Sequence, residues 1–137
     1  MCLRINVTIK IIMNFPEKIV KILRSEALMF FVATIWAYHL VGASWWIFLV
    51  FLLVPDIFMV GYLKNSKIGA AIYNIGHTYT TPFALLGIYT LLQNPIFLPI
   101  SIIWIAHISM DRIFGFGLKL DSGFKHTHLG EIGKKNN

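Results

Sequence analysis

The chain consists of two long apolar stretches separated by a short polar loop. From Ala27 to Leu63 the only formally charged residue is Asp56, and from Ile68 to Met110 there is no Asp, Glu, Lys or Arg. A transmembrane helix needs about 20 apolar residues, so each stretch is long enough for two helices joined by a tight turn. Gly42-Ala43-Ser44 and Gln93-Asn94-Pro95 supply the turn residues. The pattern predicts four spans at about 25–42, 45–63, 68–92 and 95–114.

The composition places the chain in the membrane class. Hydrophobic residues make up 57% of the 137 positions and charged residues 13%, whereas soluble domains carry roughly 25% charged residues. We therefore expect an all-α fold, a four-helix transmembrane bundle. Its single domain is predicted at 21–133, after an N-terminal extension and interfacial segment at 1–20 and before a polar tail at 134–137.

The basic residues predict the orientation. They fall before the first span, in the central loop, and at or after the end of the fourth span, and the two other loops carry none. By the positive-inside rule, both termini and the central loop are cytoplasmic, in the inner membrane of a bacterium. The lipid bilayer is then the main partner. Because the basic residues are dispersed and lack a nucleic-acid motif, the net charge of +6 does not indicate nucleic acid.

The first residues give weaker signals. Leu3 to Ile12 alternates apolar and polar residues like a short strand, and Met13 precedes a natural start for an interfacial helix. We expect Met13 to be the true start, without a signal peptide. The single cysteine, Cys2, excludes an internal disulfide and a cysteine-based zinc cluster.

Several ionisable residues lie inside the predicted spans, where burial is costly. Asp56 directly follows Pro55, which is expected to kink the second helix. Asp56 lies eight residues before Lys64, or about 12 Å along an α-helix. In the fourth span, His107 and Asp111 have the i, i+4 spacing by which one helix offers two ligands to one metal.

The third span carries a polar stripe, and the first span opens with an acid. Asn74, His77, Thr78 and Thr81 are spaced at i, i+3, i+4 and i+7, on one helical face. Glu26 begins the first span on the cytoplasmic side. We expect five ionisable groups to form one site in the cytoplasmic half of the bundle: Glu26, Asp56, His77, His107 and Asp111.

The segment after the fourth span has two interpretations. Residues 124–130 are short enough to fold back over the cytoplasmic mouth, and His126 and His128 would then reach the site. The alternative is a disordered polar tail.

Three functions compete for the polar cluster. The first is a divalent metal held by Asp56, His77, His107 and Asp111, a donor set that suits zinc, manganese or iron. Such a metal activates water, and Arg112, Lys119 and Lys125 would attract an anionic substrate. The second is a proton or ion path, although the outer half offers only Thr34, His39 and Thr90 as polar steps. The third is a structural network that holds the helices in register or scaffolds a partner.

Five segments together resemble the bacterial family catalogued as domain of unknown function 4260. They are Pro55–Tyr62, Tyr73–Thr78, Ala106–Arg112, Gly115–Lys119 and Thr127–Gly130. The resemblance extends over about residues 21–133. It implies a compact membrane protein whose signature residues include Asp56, His77, His107, Asp111 and His128, and it does not supply a reaction.

A weaker similarity adds chemistry. A Pro-Asp pair, a His-Thr segment and a final His-x-x-x-Asp follow the motif order of the membrane-bound metal-dependent hydrolases. That family has a second Asp soon after Pro-Asp, where this chain has Ile57 and Phe58, and a His-Arg pair that this chain lacks. We expect a metal-assisted hydrolase acting on a phosphate-bearing or lipid-like substrate at the cytoplasmic face. Asn74 or His128 would orient water or substrate.

Overall fold

A computed structural model describes residues 17–133, and it is mostly helical. The helices are α1 (Glu17–Val41), α2 (Trp45–Phe51), a 3₁₀ segment (Val54–Leu63), α3 (Ser66–His77), α4 (Thr80–Leu92) and α5 (Phe97–Phe114). Three short strands follow: β1 (Lys119–Leu120), β2 (Gly123–Thr127) and β3 (Gly130–Glu131). The predictions on the strand-like start, Met13 and the tail at 134–137 lie outside the described residues.

Helix α5 is the centre of the fold. Most of its middle residues are buried, and its largest contact is with α1. The main apolar core joins α1, α2 and α5 through Tyr38, Phe48 and Ile103. Tyr38 packs edge-on against Phe48, and its hydroxyl donates to the carbonyl of Ser44 at 2.8 Å. This core lies at one end of the bundle, and the polar group described below lies toward the other end of α5.

Both predicted turns are confirmed. Gly42 follows α1 with φ of 69°, and Gln93 ends α4 with φ of 53°. Both lie in the left-handed region, which reverses the chain directly after a helix. Ser44 and Ile96 then precede the next helices.

The second and third predicted spans are each broken into two helical pieces, where the sequence predicted one helix. Pro55 has no N–H to donate, so α2 ends at Phe51 and the chain continues as a 3₁₀ helix. A 3₁₀ helix rises about 2.0 Å per residue, which puts Asp56 about 16 Å from Lys64 instead of 12 Å. The predicted helix at 68–92 ends at His77, Thr78 is extended, and α4 begins at Thr80. The predicted four-residue stripe therefore does not lie on one continuous helix.

The all-α prediction is incomplete, because the segment after α5 forms a small antiparallel sheet. Its strand order is β1-β2-β3, with Lys119 opposite Thr127 and His126 opposite Glu131. The backbone of His128 also donates to the carbonyl of Leu118 at 3.0 Å. We call Leu118–Gly133 the hairpin segment. It folds back against α3, as the first of the two interpretations of this segment expected.

The outer surface of the described residues is rich in large apolar side chains. Trp46, Leu63 and Leu91 are each more than three-quarters exposed. Two helical segments are long and apolar enough to cross a membrane, Trp45–Leu63 and Phe97–Phe114. Such segments are weakly diagnostic by themselves, since core helices of soluble proteins also satisfy the same criterion.

Candidate metal centre

Four side chains from three parts of the chain converge on one point. They are Asp56 of the 3₁₀ segment, His77 at the end of α3, and His107 and Asp111 of α5. One ligand atom from each lies within 4.8 Å of the others. The i, i+4 spacing on α5 places the last two on one face, as the sequence predicted.

The distances approach those of a tetrahedron. Nε2 of His77 lies 3.1 Å from Nε2 of His107, 3.6 Å from an oxygen of Asp56 and 3.5 Å from an oxygen of Asp111. Nε2 of His107 lies 3.7 Å from each of the same two oxygens. A metal with ligand bonds of about 2.0–2.2 Å needs edges of about 3.3–3.6 Å. These five distances are within a few tenths of an ångström of such edges, and the sixth, between the oxygens of Asp56 and Asp111, is no longer than 4.8 Å.

The hydrogen bond on the far side of His77 fixes its tautomer. Nδ1 of His77 lies 2.9 Å from the carbonyl of Tyr73, which only accepts, so Nδ1 carries the proton. A neutral His77 therefore presents a lone pair on Nε2 to the other three groups. Metal-binding histidines make this same outer hydrogen bond. Tyr73 also stacks on the imidazole, with ring centroids 3.6 Å apart.

His107 is held from the side of the proline break. Its Nδ1 is buried and makes no hydrogen bond of good geometry, although the ring interacts with the backbone of Leu52. In a 3₁₀ helix the carbonyl of Leu52 would accept from residue 55, and Pro55 has no N–H. The N–H of Asp56 donates to Leu53 instead. Pro55 therefore leaves the carbonyl of Leu52, which lies beside the ring of His107, without a 3₁₀ partner.

The end of α3 is closed by a tryptophan. Nε1 of Trp104 donates to the carbonyl of Gly76 at 2.7 Å, which satisfies a group at the helix end. Gly76 itself is in close contact with Phe58, because a Cβ there would lie 2.6 Å from that ring. These contacts fix the position of His77, which is the next residue.

The hairpin segment is attached beside the group by Asn74. Its side-chain amide donates to the carbonyl of Lys119 at 2.9 Å and accepts from the N–H of Lys119 at 2.7 Å. Both backbone groups of one residue are therefore paired with one side chain. Asn74 is one turn before His77 on α3, so it holds the hairpin against the helix that carries a candidate ligand.

The buried Lys119 faces aromatic rings beside the group. Its ammonium lies 4.0 Å from the ring centroid of Phe124 and 5.1 Å from that of Tyr73, distances typical of cation–π contacts. The hydroxyl of Tyr73 donates to Asp111 at 3.2 Å. Burial lowers the pKa of Lys119, and the nearby carboxylate of Asp111 opposes that shift. Lys119 is thus a cation close to one carboxylate of the group.

The other predicted site residues lie elsewhere. His128 accepts from the N–H of Leu118 through Nδ1 at 2.8 Å. Burial lowers the pKa of His128, and the charge of Arg112 lowers it further. The prediction that Glu26 joins the cluster is wrong. Glu26 lines a separate small cavity with Arg112 and His128, because helix depth alone does not determine which neighbours a side chain meets.

His126 also lies away from the group. Its Nδ1 is 2.9 Å from the hydroxyl of Ser122, within the hairpin segment. The group therefore contains four of the five ionisable residues expected there and neither tail histidine. Tyr73 is a neighbour of the group that the sequence analysis did not name, although its i, i+4 spacing from His77 places both residues on one face of α3.

The comparisons with known proteins give a family and no function. No curated protein and no solved structure matches the chain. One family model matches residues 20–132, which include all four members of the group and the hairpin segment up to Ile132. The chain therefore belongs to DUF4260, the family described as a domain of unknown function.

Proposed function

We propose that this chain is a multi-pass protein of the cytoplasmic membrane with four spans and both termini in the cytoplasm. The four predicted spans correspond to α1, α2 with the 3₁₀ segment, α3 with α4, and α5. The exposed apolar side chains on the exterior support lipid as the surrounding medium. The distribution of Lys and Arg supports the orientation.

We propose further that Asp56, His77, His107 and Asp111 bind one divalent metal ion. The observation that carries this is the position of Nε2 of His77, which lies 3.5–3.6 Å from two carboxylate oxygens and 3.1 Å from a second imidazole nitrogen, while Nδ1 of the same ring is hydrogen-bonded to a backbone carbonyl. Two carboxylate oxygens and two imidazole nitrogens at these distances repel one another unless a metal ion or a proton lies between them. Two imidazoles and two carboxylates suit zinc, manganese or iron.

The chemistry that best fits such a centre is hydrolysis of a phosphate-bearing or lipid-like substrate at the cytoplasmic face. A bound metal lowers the pKa of coordinated water and polarises a phosphoryl oxygen. Manganese and iron accept more than four ligands, so such an ion would bind water in addition to the four side chains. Asp56 is the most exposed of the four. Lys119 supplies a positive charge near Asp111 for an anionic substrate. Asn74 positions Lys119 through its backbone.

A proton shared within the group is the competing explanation. At 3.1 Å, the two Nε2 atoms of His77 and His107 are close enough for one proton to lie between them. The group would then be a structural network that could also scaffold a partner, or one step of a proton path.

Metal content separates these explanations. We expect purified protein in detergent to contain one metal ion per chain, and His107→Ala and Asp56→Asn variants that still fold to lose it. His39→Ala is the matched control, since His39 lies at the far end of α1, next to Trp36. It should keep the metal. Protein that binds no zinc, manganese or iron under any loading condition would refute the metal centre and leave the shared proton. A metal-containing protein should next be assayed on phosphate esters.

A further inference from the structure

The four groups of the candidate metal centre differ in exposure. The side chains of His77 and His107 are 3% and 1% exposed, and that of Asp111 is 14% exposed. The side chain of Asp56 is 36% exposed. Among the described residues, the group is therefore most accessible from the side of Asp56.

The surroundings of Asp56 are apolar. In a 3₁₀ helix, residues three apart lie above one another, and the neighbours of Asp56 in that column are Leu53 and Met59, which are 61% and 37% exposed. Ile57 and Val60 on the adjacent column are also exposed. The accessible edge of the group thus opens through an apolar surface of a segment long and apolar enough to cross a membrane.

The hairpin segment covers the face of the group that lies next to the C-terminal end of α5. Lys119, Thr127 and Leu129 of the hairpin segment are buried. Asn74 pins the backbone of Lys119 to α3, and Tyr73 lies between Lys119 and the imidazole of His77. A molecule that came from water at this side would have to displace the hairpin segment first.

We propose that substrate reaches the group sideways from the bilayer, past Asp56, and that the substrate is a membrane lipid with a hydrolysable phosphate ester. This inference rests on the proposed metal centre. The reaction adds the oxygen of water to phosphorus, and the ester oxygen leaves as an alcohol with one proton of that water. The other proton goes to the phosphate product or to solvent. The ammonium of Lys119 contacts the rings of Tyr73 and Phe124 and interacts electrostatically with Asp111, so it adds positive charge beside the group that favours an anionic phosphate.

The direction of access can be measured without any metal. The chain has a single cysteine, Cys2, so a Cys2→Ser background allows one nitroxide label at a chosen position. Labels are placed by Asp56→Cys, by Leu53→Cys as the lipid control, and by Lys125→Cys, an exposed hairpin residue, as the water control. In bilayers, we expect the label at 56 to collide with oxygen more than with a water-soluble nickel complex, as at 53. Collisions like those at 125 would overturn lateral access.

Met59→Cys provides a second label position in case the Asp56→Cys variant does not fold. Met59 lies one 3₁₀ turn from Asp56 on the same column and is not a candidate ligand. Its label should also prefer oxygen. A preference for the nickel complex there would place the opening in water and refute the proposal.

The substrate class is tested on unsubstituted protein loaded with cobalt(II) in bilayers. The probes are dodecylphosphonate, which resides in the bilayer, and methylphosphonate, which remains in water. We expect the total concentration of dodecylphosphonate needed to change the visible spectrum of cobalt to be at least about tenfold lower than that of methylphosphonate, because its chain concentrates it in the membrane.

The outcomes separate the two proposals. Stronger or equal binding of methylphosphonate would refute a lipid substrate while leaving the metal centre intact. Failure of cobalt, zinc, manganese and iron all to bind would refute the metal centre, and the nitroxide measurement would still decide which medium the group faces.

Discussion

Replacing Asn74 by Ala should release the hairpin segment from α3. The variant removes two hydrogen bonds, of 2.9 and 2.7 Å, to the carbonyl and the N–H of Lys119. A neutral hydrogen bond contributes about 1 kcal/mol net, within about 0.5–1.5 kcal/mol. The loss is therefore about 2 kcal/mol, and since 1.4 kcal/mol is a factor of ten, the open population should rise about 30-fold.

Trypsin digestion of native protein in bilayers measures that population at Lys119. Lys119 is only 4% exposed, so cleavage after it requires the hairpin segment to open. When opening is fast relative to cleavage, the cleavage rate follows the open fraction. We expect cleavage after Lys119 to accelerate about 30-fold in Asn74→Ala, and cleavage after the exposed Lys125 to change far less.

Asn94→Ala is the matched control. Asn94 lies in the turn before α5 and its side chain accepts from the N–H of Ile96 at 3.1 Å, away from the hairpin segment. This variant should leave cleavage after Lys119 unchanged. Equal cleavage of Asn74→Ala and the unsubstituted protein would refute the idea that Asn74 holds the hairpin, as would an equal acceleration at both lysines.

Further predictions concern packing, pH and orientation. Gly76→Ala should destabilise the protein by about 1–3 kcal/mol in thermal unfolding, because its Cβ would lie 2.6 Å from Phe58, whereas Gly87→Ala meets nothing within 4 Å and should be neutral or stabilising. An unchanged melting temperature for Gly76→Ala would contradict the tight packing beside His77. The lowered pKa of His128 means that the fold holds its neutral form, so docking of the hairpin should weaken as pH falls below about 6.5 and be constant above it. Hydrogen exchange at the Leu118 amide, corrected for intrinsic rates, should become faster as the pH falls, and this pH dependence should disappear in His128→Gln. A pH dependence that persists in the variant would show that another group causes it. A reporter fused after Asn137 should be cytoplasmic and one inserted between Gly42 and Ser44 external, and the reverse result would overturn the proposed orientation.

The sequence by itself determined the helical character of the chain, the turns after α1 and α4, and four of the five ionisable residues expected to converge. Long apolar stretches interrupted by Gly42 and Gln93 leave few ways to reverse the chain. A charged or titratable residue in such a stretch is costly to bury, so Asp56, His77 and His107 stand out in the sequence. Spacing then placed two of the four residues on one helical face.

Tertiary structure decided how those residues are held. Sequence spacing does not show that α3 ends at His77, since that depends on Trp104 and Phe58 packing around Gly76. Nor does it show that Asn74 binds the backbone of Lys119, 45 positions along the chain. Glu26 was misplaced for the same reason: depth along a helix follows from counting residues, whereas the neighbours of a side chain depend on how helices rotate and pack against one another.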